Sequence, residues 1–155
     1  VTVGSGPVAR ADAASTPQNV TVTLNPLAND AAGVDGDGTP GTLIRSSVGF
    51  TGPTATDSCR TLVVAGEGTW TIDPVTGQAT FDPIASFTGV TSAAAYSVTD
   101  SFGNSATSSL TVTVTPIAPV ANNDNDSTPY RTPVTTDLLA NDLVVELQVK
   151  GEGSA

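Results

Sequence analysis

Residues 110–115 read Leu-Thr-Val-Thr-Val-Thr, a strict alternation of apolar and hydroxyl-bearing side chains. Because successive side chains of a β-strand point to opposite faces, this pattern predicts a strand with one buried face and one face in solvent. Similar alternations occur at residues 20–24, 70–72, 79–81 and 96–99, and weaker ones at 42–48 and 61–64. Turn-forming residues recur about every 8–12 positions, which is typical of sandwiches. The sequence predicts an all-β fold, an antiparallel immunoglobulin-like β-sandwich.

The inward positions of these strands define a predicted core. Its members are mostly β-branched or aromatic, as expected on a pleated, half-buried surface. The predicted core comprises Val20, Val22, Leu24, Leu62, Val64, Trp70, Ile72, Phe81, Tyr96, Val98, Leu110, Val112 and Val114.

Composition excludes several functions. The 155 residues carry 5 Lys and Arg against 15 Asp and Glu, a net charge of −10, so the chain lacks the basic surface that binds nucleic acid or anionic membranes. No histidine is present, which excludes a Ser-His-Asp triad, a Cys-His dyad and histidine-ligated metals. No apolar run approaches the ~20 residues that span a bilayer. Nothing in the spacing singles out a pair of catalytic carboxylates, so we expect no enzyme.

An internal repeat organises the chain. Residues 7–30 and 119–142 align without a gap at an offset of 112, with 13 of 24 positions identical. Such self-similarity indicates a tandem array in which each unit contacts mainly its neighbours. We therefore expect residues 1–6 to end a preceding repeat or linker, 7–118 to form a complete repeat, and 119–155 to open the next one. The tail 143–155 matches nothing in the first repeat, and either the first unit or strand addition to another copy would order it.

The motifs of this unit resemble a known family. The opening Pro-Val-Ala, the Leu-Ala-Asn-Asp ending at residue 30, the stretch 66–83, Tyr-Ser-Val-Thr-Asp at 96–100 and the closing strand at 110–115 are similar to CshA-type fibril repeats. These belong to the bacterial immunoglobulin-like repeats of surface adhesins. The resemblance implies an extracellular sandwich module of a fibrillar adhesin, in which the repeats form the stalk. The Asp- and Gly-rich insertion at 31–40 departs from that pattern.

Calcium is the candidate cofactor. Two loops gather carboxylates, the Asp- and Gly-rich stretch 29–38 and the Asn- and Asp-rich stretch 122–126, and oxygen ligands on flexible loops suit Ca²⁺. The alternative is that these residues only form turns and cap loops. No twelve-residue EF-hand pattern is present. The candidate ligands are Asp30, Asp35, Asp37, Asp124 and Asp126.

Other side chains have a structural and a functional interpretation. Tyr96 is predicted as a core residue, or as an anchor with its hydroxyl on backbone. Trp70 is expected in the core rather than in a ligand site, and Cys59 is expected to be a partly buried inert thiol, with an intermolecular disulfide as the alternative. The first repeat contains no Lys, which excludes a Lys–Asn isopeptide bond, and a Thr–Gln ester would need Gln18 or Gln78.

The sequence favours a structural role. The leading hypothesis is a stalk repeat of a bacterial cell-surface fibrillar adhesin that extends and bears load as tandem rigid sandwiches. Its partners are then neighbouring repeats of the same protein, with no nucleic acid and no membrane insertion. The alternatives are a calcium-stabilised module that binds a glycan or a protein, and a self-assembling filament subunit that donates its C-terminal strands to another copy.

Overall fold

The computed structural model describes residues 3–52 and 54–143, and it divides the chain into two units, residues 1–116 and 117–155. The division falls two residues before the predicted end of the complete repeat. Of the unmatched tail 143–155, residues 144–155 lie outside the described residues, and so does what would order them. Within the described ranges, no helix has the length and apolar character needed to cross a membrane.

The regular secondary structure of the first unit consists almost entirely of strands. The only helical element in its described part is a single 3-10 turn, Pro26–Ala28, between the second and third strands. The strands are β1 Asp12–Pro17, β2 Val22–Leu24, β3 Leu43–Phe50, β4 Ala55–Thr56, β5 Thr61–Val64, β6 Gly68–Ile72, β7 Ala79–Pro83, β8 Gly89–Val90, β9 Ala94–Asp100 and β10 Ser105–Thr115.

These strands form two five-stranded sheets that pack face to face. The first has the order β1-β10-β9-β3, with β8 also pairing with β10, and the second has the order β2-β7-β6-β5-β4. The pairs are antiparallel except β1 with β10, which run parallel over six residue pairs from Asp12 opposite Leu110 to Pro17 opposite Thr115. The prediction of an all-β chain with packed sheets is confirmed. Its immunoglobulin-like topology stays a prediction.

The core lies between the sheets, where the aromatic side chains meet. Trp70, Phe81 and Tyr96 are each 0 % exposed. The Trp70 and Phe81 rings lie 4.8 Å apart, and Phe50 meets Trp70 edge-on at 6.4 Å, both distances at which aromatic pairs attract. The placement of Trp70 in the core is confirmed.

The outer face of the second sheet carries a row of threonines. Five of them lie in register across all five strands, one in each strand. Thr23 and Thr80 join their hydroxyls at 2.9 Å. Cross-strand pairs of β-branched hydroxyl residues stabilise a sheet by roughly 0.2–1 kcal/mol each, so the abundant threonine of the composition has a structural role here. The row consists of Thr23, Thr80, Thr71, Thr61 and Thr56.

The strands differ from the sequence-based expectations in two places. Val20 is 46 % exposed rather than buried, because Asn19 takes a positive φ of 62° and Val20 belongs to a turn that precedes β2. The Ala- and Ser-rich strand β1 was missed because it has no apolar alternation. Its partner β10 is distant in sequence, and only the folded chain shows the pairing.

Gly68 provides the first test of this packing. A Cβ at this position would lie 2.3 Å from the Asp82 carbonyl oxygen and 2.8 Å from the Phe81 ring. We expect Gly68→Ala to destabilise the unit by about 3 kcal/mol, since overpacking forces the backbone to move. Gly52→Ala is the matched control, because its Cβ would meet only Leu62 Cδ1 at 3.5 Å. Denaturant unfolding measures both, and equal stabilities would contradict the close approach at Gly68.

Candidate functional site

The Asp30 carboxylate joins three separate parts of the first unit. Its Oδ1 accepts a hydrogen bond from the Arg10 backbone N–H at 2.7 Å, and its Oδ2 accepts one from the Tyr96 hydroxyl at 2.9 Å. Asn29, the preceding residue, donates its side-chain amide to the Ala11 carbonyl at 3.2 Å, and Arg10 donates its guanidinium to the Asn29 carbonyl at 2.7 Å. We call these four residues, Arg10, Asn29, Asp30 and Tyr96, the clasp.

Tyr96 brings β9 to the clasp from inside the sandwich. Its hydroxyl also lies 3.2 Å from the Arg10 carbonyl and 3.3 Å from the Pro26 carbonyl, so it sits among three oxygen acceptors. Burial raises the pKa of this hydroxyl, and the hydrogen bond and charge of Asp30 raise it further. The hydroxyl therefore remains a donor. Of the two interpretations of Tyr96, the structure shows both a core ring and an anchored hydroxyl.

A second carboxylate, Asp12, lies close to the clasp without the same support. Its Oδ2 is buried and has no hydrogen-bond partner among the described residues. Burial raises the pKa of Asp12, and the nearby Asp30 charge raises it further. An ionised carboxylate here costs stability, because the charged form loses solvation without gaining a donor.

Asp100 holds the Asp- and Gly-rich loop against the β9–β10 turn. This fully buried carboxylate accepts hydrogen bonds from the backbone N–H groups of Gly33, Phe102 and Asn104 at 2.9–3.2 Å. A Cβ on Gly33 would lie 2.1 Å from the Ser5 carbonyl oxygen, so only glycine allows the loop to approach this closely. The loop is therefore fixed at its base by Asp100.

The part of the clasp formed by Arg10, Asn29 and Asp30 recurs in the second unit. Asp142 Oδ1 accepts the Asn122 N–H at 2.7 Å, and Asn141 donates its side-chain amide to the Asn123 carbonyl at 3.1 Å. Val120 and Leu143 exchange two backbone hydrogen bonds, as Val8 and Ala31 do in the first unit. All these pairs are related by the offset of 112 residues.

The turn that follows the clasp strand recurs in the same way. Thr16 donates its hydroxyl to the Val20 carbonyl at 2.8 Å, and Thr128 donates to the Thr132 carbonyl at 2.5 Å. Asn19 and Arg131, at equivalent positions, have φ of 62° and 61°. The sequence repeat thus corresponds to a repeat of local structure. Sequence reasoning missed the clasp itself, although the Asn-Asp pair common to both copies is the signal that marks it.

The structure places the five calcium candidates apart or in local turns. Asp30 is bound in the clasp. Asp35 accepts the N–H groups of Asp37 and Thr39, and Asp37 accepts the Thr39 N–H and hydroxyl, so these two carboxylates brace their own exposed loop. Asp126 accepts the Ser127 N–H and the Thr136 hydroxyl.

Asp124, the fifth candidate, is half-buried in the second unit. Across residues 3–52 and 54–143, no three His, Cys, Asp or Glu side chains come together as a metal-binding group. Calcium binding stays a prediction, which thermal unfolding with Ca²⁺ and with a chelator would test.

The remaining sequence candidates have simple environments. Cys59 is exposed, so the expectation of a partly buried thiol was wrong. The reason is local, because Asp57, Ser58 and Cys59 all take positive φ between 52° and 64° and turn outward at the surface. Gln18 donates its side-chain amide to the Ala85 carbonyl at 2.6 Å.

Tyr96→Phe tests the clasp. The change keeps the ring in the core and removes the donor to Asp30, leaving a part-buried carboxylate oxygen without that partner. We expect a loss of about 1–3 kcal/mol in the free energy of unfolding, the usual cost of an unsatisfied buried polar group. Tyr130→Phe is the matched control, since Tyr130 is 90 % exposed. Urea unfolding measures both variants, and an unchanged Tyr96→Phe would contradict a stabilising clasp.

Asp12→Asn tests the unsupported carboxylate. Because the folded-state pKa of Asp12 is raised, its ionisation costs stability. This cost is absent below the unfolded-state pKa, grows as the pH rises from there to the folded-state pKa, and is constant above it. We expect Asp12→Asn to be about 1 kcal/mol more stable than the wild type at pH 7. The difference should shrink as the pH falls toward 4. Asp124→Asn, at the equivalent position of the second copy, is the control, and a gain independent of pH would contradict the assignment to ionisation.

Comparison with known proteins identifies the family of the chain. No curated protein matches the chain significantly. A family model described as the surface adhesin CshA repetitive domain matches residues 5–114, which include the clasp and all strands of the first unit except the last residue of β10, Thr115. The family resemblance seen in the sequence is thereby confirmed, and the chain belongs to the CshA repeat family of surface adhesins.

Proposed function

We propose that residues 7–118 form a load-bearing stalk repeat of a fibrillar adhesin on the outside of a bacterial cell. Family membership supports a surface adhesin repeat. The load-bearing role rests on one observation, the parallel pairing of the first and last strands of the unit, β1 and β10.

Parallel terminal strands give the unit a favourable pulling geometry. The chain enters β1 at Asp12 and leaves β10 at Thr115, at opposite ends of the same pair, roughly 17 Å apart along the strands. Tension between the two ends therefore slides β1 along β10. Sliding loads all hydrogen bonds of the pair together, whereas peeling would break them one after another. Gln18 extends the pair by donating its N–H to the Thr115 carbonyl at 2.8 Å.

The clasp strengthens the same place. Asp30 holds the Arg10 N–H two residues before β1 begins, so tension on the N-terminal side meets the clasp before it reaches the strand pair. Ser5 and Val8 add bridges to Val34 and Ala31 in the loop beyond the clasp. The opening segment is thus tied along its length to the body of the unit.

The sequence between units and the surface charge fit a stalk. Pro116-Ile117-Ala118-Pro119 places two prolines in four residues, which restricts backbone rotation between repeats. The net charge of −10 disfavours lateral association of fibrils at physiological pH. The proposed partners are neighbouring repeats of the same protein, and the proposed location is extracellular. A structural role of this kind involves no catalysis.

One alternative, donation of C-terminal strands to another copy, is disfavoured by the repeat alignment. A donated segment 119–142 would replace 7–30, placing Asp126 where Ala14 packs against the core and Thr136 where Leu24 is buried. A carboxylate at the Ala14 site would be desolvated. The segment therefore fits poorly into the first unit of a second copy.

Single-molecule force spectroscopy tests the stalk proposal. Four tandem copies of residues 7–118 are pulled from their two ends. We expect one unfolding event for each repeat, with a length gain of at most roughly 40 nm. Ala14→Pro should lower the unfolding force. The Gln18 N–H points toward β10, and because N–H directions alternate along a strand, the Ala14 N–H points the same way. Proline lacks this N–H and therefore removes one hydrogen bond of the β1–β10 pair.

Ser15→Pro is the matched control, since the same period directs its N–H away from β10, as for the natural Pro17. Circular dichroism first establishes that both variants fold. Wild-type repeats that extend without resolved force peaks would overturn the proposal. So would equal unfolding forces for wild type and a folded Ala14→Pro variant, because the β1–β10 pair would then carry no load.

A further inference from the structure

A polar cleft opens where both sheets of the first unit meet the β6–β7 turn. Its volume is about 280 Å³, and it is lined by Asn25, Leu27, Arg45, Thr76 and Gln78. Asn25 and Leu27 follow β2, Arg45 belongs to β3 of the other sheet, and Thr76 and Gln78 lie in the β6–β7 turn. Three separate elements therefore contribute side chains to one concave surface.

Arg45 is the distinctive member of this cleft. Among the described residues, the guanidinium of Arg45 has no hydrogen bond, ion pair or aromatic partner, while the other arginines are engaged. Arg10 and Arg60 donate to the Asn29 and Ser46 carbonyls, and Arg131 lies over the Tyr130 ring. A chain of net charge −10 thus presents an exposed guanidinium in a cleft without using it internally.

The other lining groups retain hydrogen-bonding capacity. Asn25 uses its Oδ1 to accept the Leu27 N–H at 3.3 Å, and its side-chain N–H groups have no acceptor in the described parts of the chain. Thr76 accepts the Gln78 N–H through its hydroxyl oxygen at 3.3 Å, and its own hydroxyl donates to the Asp73 carboxylate and helps to lower the pKa of Asp73. The Gln78 side-chain amide makes no hydrogen bond within residues 3–52 and 54–143. Leu27 supplies a half-buried apolar wall.

We propose that this cleft binds a carboxylate-bearing sugar unit of a glycan. A guanidinium binds a carboxylate in a two-pronged geometry, with Arg45 in this role. The side-chain amides of Asn25 and Gln78 supply donors and acceptors for sugar hydroxyls, and Leu27 contacts the apolar face of the ring. The cleft volume of about 280 Å³ lies just below the about 300–1,000 Å³ of small-molecule sites, so it holds no more than one sugar unit. The proposal is independent of the stalk function.

The net negative charge of the chain affects how the cleft binds an acidic sugar. The acidic surface repels anions at long range, so binding depends on Arg45 at short range, where the Debye length of about 8 Å limits the influence of distant charges. The cleft is open and its polar side chains are exposed, so a single sugar binds weakly. An affinity in the millimolar range is expected, which tandem repeats would raise by multivalency.

Heteronuclear NMR titration of the full chain tests the proposal. The probes are the methyl α-glycoside of N-acetylneuraminic acid, the methyl β-glycoside of glucuronic acid, methyl β-galactoside and sodium acetate, at constant ionic strength. We expect one or both acidic sugars to shift backbone signals at residues 25–27, 45 and 76–78, with saturation in the millimolar range. The two acidic probes distinguish a sialic acid from a uronic acid.

The matched pair of variants is Arg45→Gln and Arg131→Gln, which change the net charge equally. Arg45→Gln should weaken binding at least tenfold, and Arg131→Gln should leave it unchanged. Four results would overturn the proposal: no saturable shift by either acidic sugar up to 50 mM, equal shifts by galactoside, equal shifts by acetate, or retained affinity in folded Arg45→Gln. Equal acetate shifts would mean that Arg45 binds simple anions only, without a sugar site.

Discussion

The hydrogen bonds of the Asp30 carboxylate are the interaction on which the arrangement of the first unit depends. One carboxylate group with two oxygens fixes the segment before β1 through Arg10 and fixes β9 through Tyr96. Loss of the Tyr96 hydroxyl removes one of the two donors to the part-buried Asp30 carboxylate. Loss of the Asp30 carboxylate leaves the Tyr96 hydroxyl only its longer contacts with the Arg10 and Pro26 carbonyls, at 3.2 and 3.3 Å. The core and the surface segment are therefore coupled through one pair of side chains.

The coupling matters because β1 alone has little to hold it. Its sequence is rich in alanine and serine and buries only Thr16 fully. Hydrogen bonds to β10 hold it along one edge, and the clasp holds the chain just before it. A strand of weak apolar content can thus end the sheet without an extended hydrophobic surface, which is also how an edge strand avoids pairing with other chains.

The sequence predicted the parts of this fold that local pattern specifies. Alternation in residues 110–115 placed Leu110, Val112 and Val114 in the core, where all three are fully buried. The alternation of apolar and polar residues predicts neither strand β1 nor the burial of Asp100, because both depend on partners that are distant in the chain. In the sequence, Asp100 is typical of a turn residue that ends a strand. Its second oxygen, Oδ2, accepts a hydrogen bond from the Gly33 N–H only because the fold brings Gly33 close to it. For the candidate site, both copies of the repeat contain the Asn-Asp pair, but nothing in the repeat indicates that Tyr96 is its partner.

The bonds that recur in the second copy suggest an order in which the segments of a repeat fold. The hydrogen bond from Arg10 to Asp30 closes a loop of about 20 residues, and the bond from Thr16 to Val20 closes one of about 4. Both bonds recur in the second copy. The pairing of β1 with β10 closes a loop of about 100 residues, and the entropic cost of closure rises with loop length. If the short loops close first, β1 is already fixed to its neighbouring segment when it pairs with β10. Thr16, Asn29 and Asp30, whose side chains close these loops, are identical in the second copy, while Ala14, which packs against the core, becomes Asp126. Each repeat thus keeps a common opening motif and varies the surface that must match its own core.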